Sequence, residues 1–142
     1  MNKFGKVRIV MDTNVLYAGL YSAKGASYCI LNAIDKGKIR LVLSTTLLFE
    51  YEDVLKRNQS VLSLSNPEID IILDNLCKLS EHQTVYFLWR PRLPDPKDDH
   101  ILELAVASGT KTVVTHNIKD FSGIEEFGIR AITPKKLLEE IK

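Results

Sequence analysis

Val7-Arg8-Ile9-Val10-Met11-Asp12-Thr13-Asn14 is an aliphatic, β-branched run that stops at a polar triplet, and it decides how the rest of the chain is read. A short apolar run of this kind suits a strand buried on both faces, as in a parallel sheet. Ile39 to Leu43 repeats the pattern. Between the two runs Ile30, Leu31 and Ile34 fall on one helical face, and Gly37 supplies a stop. Strand, helix, strand is the βαβ unit, whose two strands lie parallel.

Working outward, a helix is expected from about Thr46 to Arg57, with Leu47, Leu48, Tyr51, Val54 and Leu55 on its buried side. Another is expected from about Pro67 to Leu79. Ser65 or Asn66 can cap it, Pro67 fits the first turn, and Ile69, Ile72, Leu73 and Leu76 recur at helical spacing. Thr84 to Trp89 reads as the third strand. The prolines of Arg90-Pro91-Arg92-Leu93-Pro94-Asp95-Pro96 then enforce a loop. Asp98 to Gly109 follows as a helix with acids at its positive end and a glycine at its close. Thr112 to Thr115 and Ile129 to Ile132 supply the fourth and fifth strands, and Thr133-Pro134 caps and opens a last helix. The expectation is one domain over residues 1–142, an α/β fold built as a three-layer α/β/α sandwich with a central parallel sheet.

A composition of 45% hydrophobic and 26% charged residues is that of an ordinary globular chain. A net charge of +1 removes the argument that a basic protein holds nucleic acid by its overall field. Any such contact would be local, from Arg90, Arg92 and Lys97 or from Lys111, His116 and Lys119. No apolar run approaches the ~20 residues of a spanning helix, and Met1 to Val10 lacks a secretory pattern, so the expectation is a cytoplasmic protein with no membrane association. Cys29 and Cys77 read as buried free thiols.

In an open parallel sheet, ligands bind beyond the carboxyl ends of the strands. Those positions are polar here: Asp12-Thr13-Asn14 after the first strand, Thr115-His116-Asn117-Ile118-Lys119-Asp120 after the fourth, and Asp98-Asp99 at a helix start. Glu50 lies on the helix that follows the second strand. Carboxylates that converge repel one another until one takes up a proton or a cation joins them. An all-oxygen set suits Mg²⁺ or Mn²⁺, whose chemistry includes phosphodiester hydrolysis. Each acid taken singly reads more readily as a solvated or capping group. A haloacid-dehalogenase-like phosphatase would need a second Asp where Asn14 stands. A phospho-receiver would want a carboxylate somewhere in Leu43 to Thr45, where none stands.

Four stretches in this order resemble the PIN-domain nucleases, particularly the small prokaryotic ones that include VapC-like toxins of toxin–antitoxin systems. They are Val7 to Val15, Leu47 to Leu55, Asp95 to Ala105 and Val113 to Phe121. The resemblance implies a PIN-like, Rossmann-like fold and a ribonuclease dependent on Mg²⁺ or Mn²⁺. In it Asp12, Glu50 and Asp98 hold the metal and orient water, Thr13 and Asn14 shape the turn beside Asp12, and Thr115 adds a hydroxyl. Asp98 is preferred to Asp99 because it leaves Ile101 and Ala105 at the family's core-facing positions, with Asp99 supporting from behind. Asn117 stands where many members carry an Asp. Its carbonyl oxygen can serve as a ligand without adding charge, and Asp120 can supply that charge if its turn folds back. The implied partners are an RNA substrate, an antitoxin and a second copy in a homodimer. The alternative is a catalytically weak PIN-like module that binds RNA or a protein. His82, His100 and His116 read as surface or satisfied histidines, with His116 nearest the crevice, and Trp89 reads as a core-edge residue before it reads, with Arg90, as a stacking pair for a base.

Overall fold

The computed structural model describes residues 7–86 and 93–141. Its strands β1 (Val7–Met11), β2 (Ile39–Leu43), β3 (Glu81–His82), β4 (Thr112–Val114) and β5 (Arg130–Ile132) form one sheet in the order β3-β2-β1-β4-β5. Every pairing is parallel. Ile9, Val10 and Met11 in β1 and Leu41, Val42 and Leu43 in β2 are all buried. Successive strand residues point to opposite faces, so unbroken burial means both faces are covered. The helices flank the sheet, and the chain is an α/β sandwich.

The helices are α1 (Thr13–Tyr21), α2 (Ala26–Asp35), α3 (Thr45–Arg57), α4 (Gln59–Leu62), α5 (Asn66–Leu79), α6 (Asp99–Ser108) and α7 (Pro134–Ile141). Ser44 caps α3 by accepting from the Leu47 amide. Ser65 and Glu68 form a reciprocal capping box at α5, a motif in which the cap is worth about 1 kcal/mol. Gly109 closes α6 at φ 71°, a left-handed conformation that glycine adopts without strain. Thr133 receives the Lys136 amide at the start of α7. Among the described residues, no helix is long and apolar enough to cross a membrane.

Three expectations need correction. The third strand is Glu81–His82, not Thr84 to Trp89. It pairs with Val42 and Leu43, and the Gln83 amide takes the Leu43 carbonyl. Beyond that, β2 turns into the α3 cap at Ser44, and Thr84–Tyr86 pairs with no strand among the described residues. The rest of that stretch, with Trp89, Arg90 and Arg92, lies outside the described residues. Secondly, two helices join β1 to β2, broken between Ser22 and Gly25, where Gly25 stands as the extended cap of α2. Lastly, Cys29 is exposed and Cys77 half-buried, both as free thiols.

The strand order fixes where a ligand belongs. From β1 the chain moves outward through β2 to β3, then returns to the other side of β1 for β4 and β5. The winding therefore reverses between β1 and β4, the switch point where α/β sheets open a crevice at their carboxyl ends.

Candidate active site

At that switch point Met11 and Val114 end two neighbouring strands, and each is followed by a polar residue, Asp12 and Thr115. The Asp12 amide takes the Val114 carbonyl at 2.9 Å, continuing the ladder by one rung. The Thr115 hydroxyl donates to Asp12 Oδ2 at 2.7 Å. Asp12 also stands as the cap of α1, although its side chain makes no capping bond there. Only 8% of Asp12 is exposed, and burial raises its pKa against the Thr115 bond, with Glu50 and Asp120 adding to the rise.

Glu50 arrives on the second turn of α3, which the Ser44 cap starts at the carboxyl end of β2. Both its oxygens are engaged. Thr13 donates to Oε2, and His100 Nε2 lies 3.0 Å from Oε1. Burial pushes the Glu50 carboxyl up, but the bonds from His100 and Thr13 outweigh it and hold the group below the usual carboxylate range. Tyr51, fully buried beside Glu50, donates its hydroxyl to the Met11 carbonyl at 2.5 Å and so ties α3 to the end of β1. Burial, with Asp12 and Glu50, holds the phenol well above its ordinary pKa.

Asp98 ends a 3₁₀ turn, Pro96–Asp98, that leads into α6. Asp95 anchors the turn by accepting from the Lys97 amide. Asp98 is half-buried, and its pKa is raised to about 7, first by burial and then by Asp12, Asp95, Asp120 and Glu50. Asp99 points elsewhere: it is 1% exposed and accepts the Leu93 amide at 2.8 Å. Asp98 thus feels the other acids, and Asp99 fastens the loop that delivers it.

The loop after β4 completes the rim. The Asn117 amide donates to Thr115 Oγ1 at 3.0 Å, and the His116 amide to Asn14 Oδ1 at 3.3 Å. His116 Nε2 lies 2.8 Å from Ser27 Oγ on α2. The Asp120 amide takes the Asn117 carbonyl, closing a 3₁₀ turn, Ile118–Phe121, whose Asp120 acts electrostatically on both Asp12 and Asp98. Residues His116 to Asp120 line an open depression at this end of the sheet.

The structure thus gathers Asp12, Glu50, Asp98 and Asp120 into one electrostatic neighbourhood, with Thr13, Asn14, Thr115 and Asn117 in the hydrogen bonds around it. Among the described residues, no three Asp, Glu, His or Cys side chains close into a ready-made metal cage. The donor set nonetheless fits a hard divalent cation that keeps part of its water shell: the donors are all oxygen, and their mutual repulsion is what such a charge would relieve.

The structure also revises several sequence readings. His100 is not a surface histidine or a satisfied one: it is 7% exposed, it reaches Glu50, and its Nδ1 has no partner among the described residues. No local spacing signals this contact, since Glu50 and His100 are far apart in the chain. The cluster of Lys111, His116 and Lys119 does not gather, because Lys111 precedes β4 and the other two follow it. Five extended residues separate positions 111 and 116 by about 16 Å.

A family model described as PIN domain matches residues 8–119. Solved structures similar to this chain include VapBC2 from Rickettsia felis bound to a DNA fragment from their promoter, at TM-score 0.62 and 17% identity over 89% of this chain and 98% of that one. DNA-bound VapBC from Salmonella typhimurium gives TM-score 0.61 and 18% identity over 90% and 98%. PAE2754 from Pyrobaculum aerophilum gives 0.61 and 15% over 96% and 92%. At these identities the likeness is one of fold. No curated protein matches the chain.

Proposed function

The chain belongs to the PIN-domain family, and from that premise we propose that it is a metal-dependent endoribonuclease, the toxin component of a toxin–antitoxin system acting in the cytoplasm. The observation that carries this reading is the gathering of buried and half-buried carboxylates at the β1–β4 switch point, where burial first and then Asp12, Asp95, Asp120 and Glu50 raise Asp98 to about 7. Holding several acids together without a counter-charge costs stability, and a site that does so is organised for a cation.

In this reading Asp12, Glu50 and Asp98 hold Mg²⁺ or Mn²⁺, with the Asn117 carbonyl oxygen as a further ligand and Asp120 as additional negative charge. A bound ion of this type polarises water for attack on a phosphodiester and stabilises the departing oxygen. The chain's own residues orient the ligands. Thr115 fixes one oxygen of Asp12, Thr13 and His100 fix both oxygens of Glu50, and Tyr51 locks the strand end that carries Asp12. Asn14 and Asn117 hold the rim loop against α1 and Thr115. Asp99 keeps the Leu93 loop in place beneath Asp98.

The antitoxin part of the proposal draws on the VapBC assemblies named for the similar structures. The homodimer part draws on an apolar groove of about 150 Å³ lined by Leu16, Leu20, Leu31, Ile34, Leu76 and Leu79. A monodisperse monomer in light scattering that neither self-associates nor retains a co-expressed neighbouring-gene product would remove them.

The decisive experiment is cleavage of a structured and an unstructured RNA by purified protein with Mn²⁺ or Mg²⁺, beside an EDTA control and the Asp12→Asn variant. Cleavage lost in both controls supports the reading. Absence of cleavage together with absence of Mn²⁺ binding in calorimetry favours the second reading, a PIN-like module that binds RNA or a protein. Asn117, which cannot add the charge of a fourth carboxylate, is the observation on that side.

A further inference from the structure

His100 is one of three buried polar residues in α6, with Asp99 and Glu103. It stands beside Ile101, Leu102, Leu104 and Ala105, all buried, and is itself 7% exposed. One ring nitrogen, Nδ1, is buried with no partner among the described residues. A buried polar atom without a hydrogen bond costs roughly 1–3 kcal/mol, and an apolar side chain at this position would avoid that. What the histidine gains is the contact of Nε2 with Glu50 Oε1 at 3.0 Å. An ionised carboxylate only accepts, so Nε2 is the donor. The opposite oxygen, Oε2, takes the Thr13 hydroxyl from the first turn of α1. Glu50 is thereby gripped from two directions, by a residue next to Asp12 and by one two places after Asp98.

We propose that His100 is a positioning residue: through its Nε2–H it fixes the rotamer of Glu50, so that this carboxylate faces Asp12 and Asp98 in the geometry a divalent cation needs. The proposal rests on the metal-dependent reading above and adds to it a specific supporting group. Hydrogen bonds to ligand side chains from behind orient them and set metal affinity, and their loss weakens binding by about 10- to 100-fold. A free Glu50 side chain would have to lose its rotamer freedom each time an ion arrives, whereas a gripped one is already ordered.

The test uses two substitutions, one that keeps a donor near the histidine Nε2 position and one that does not. Gln places its Nε2 where the histidine Nε2 stands, and Leu fills the space with no donor. Mn²⁺ is titrated calorimetrically into the full chain as wild type, His100→Gln, His100→Leu and Asp12→Asn. The expected result is a Kd for His100→Gln within about 3-fold of wild type and a Kd for His100→Leu at least about 10-fold weaker, with no heat from Asp12→Asn. In RNA cleavage at saturating Mn²⁺, His100→Leu should lower kcat and leave the KM for RNA unchanged. If His100→Leu does not fold, His100→Asn takes its place, because its amide reaches the Nδ1 position and leaves Glu50 without the donor. Equal Mn²⁺ affinity in wild type and His100→Leu, with Asp12→Asn still silent, overturns the inference and leaves the metal reading standing. Equal weakening in the Gln and Leu variants also overturns it, since the donor would then be irrelevant. A wild type that binds no Mn²⁺ overturns both.

Discussion

The two ends of the sheet treat charge in opposite ways. At the amino end charges are matched. Arg8 in β1 grips both carboxylate oxygens of Glu81 and donates to the Ser108 carbonyl at the end of α6, while Arg130 at the start of β5 forks onto Glu140 near the end of α7. At the carboxyl end like charges are gathered, and burial first, then the neighbouring acids, raises the pKa of both Asp12 and Asp98. One end is arranged to hold the fold together, and the other gives up stability for a concentrated negative potential. Substitutions at the two ends should therefore separate stability from activity.

The largest effect expected is on function at the carboxyl end. Asp12→Asn should reduce RNA cleavage on the order of 10³-fold, the loss of several kcal/mol of charge stabilisation, with its melting temperature unchanged or raised. A fall in melting temperature matching the loss of activity would break the contrast. Next, at the amino end, Arg8→Ala should cost about 1–2 kcal/mol of stability in denaturant titration, since it removes a two-pronged, part-buried ion pair and a bond to a helix-terminal carbonyl. Cleavage by this variant at a temperature where it is folded should match wild type.

A smaller effect, of opposite sign, is expected from Asp98→Asn in metal-free protein. The folded-state pKa of Asp98 is raised to about 7 from the 3.8 of a free aspartate, so the folded state binds the extra proton and its stability falls as pH rises between those values. The variant, free of that penalty, should be the more stable at pH 8 in EDTA by about 1 kcal/mol, allowing for the half-exposure of the group. The gain should shrink as pH is lowered toward 4. Melting curves across this range check it, and a pH-independent difference would mean that neither burial nor the neighbouring acids raise the Asp98 carboxyl. Least of all, Glu140→Gln should lower the melting temperature slightly at low ionic strength and not at all in 1 M salt, because its pair with Arg130 is exposed and screened.

Where the chemistry of a stretch lies in its own residues, the sequence is a good guide. The unbroken apolar runs of β1 and β2 announce strands covered on both sides, and Ser65, Pro67 and Glu68 announce the start of α5. β3 is different in kind. Glu81–His82 has no apolar pattern and is a strand only because β2 offers two more rungs before Ser44 turns the chain away, so the apolar stretch after it looks the better strand. At the candidate site, the acids after strand ends are visible because topology dictates where crevices lie. The distinction between Asp98 and Asp99 turns on which way two neighbouring side chains point, and the Leu93 amide that engages Asp99 has no signature in the local sequence. His100 is least visible of all, because its importance consists in a contact with a residue on another helix.

The bond from Thr115 to Asp12 joins two positions 103 residues apart. Such a contact closes late, after the intervening chain has been ordered. During synthesis, which delivers the N-terminal part first, Asp12 emerges early but meets its partner strand only once β4 and Thr115 have left the ribosome. A chain interrupted anywhere before that point lacks the β1–β4 junction and with it the crevice. In the ribonuclease reading proposed above, this topology would act as a safeguard in time, because no fragment that ends before Thr115 would carry a working site.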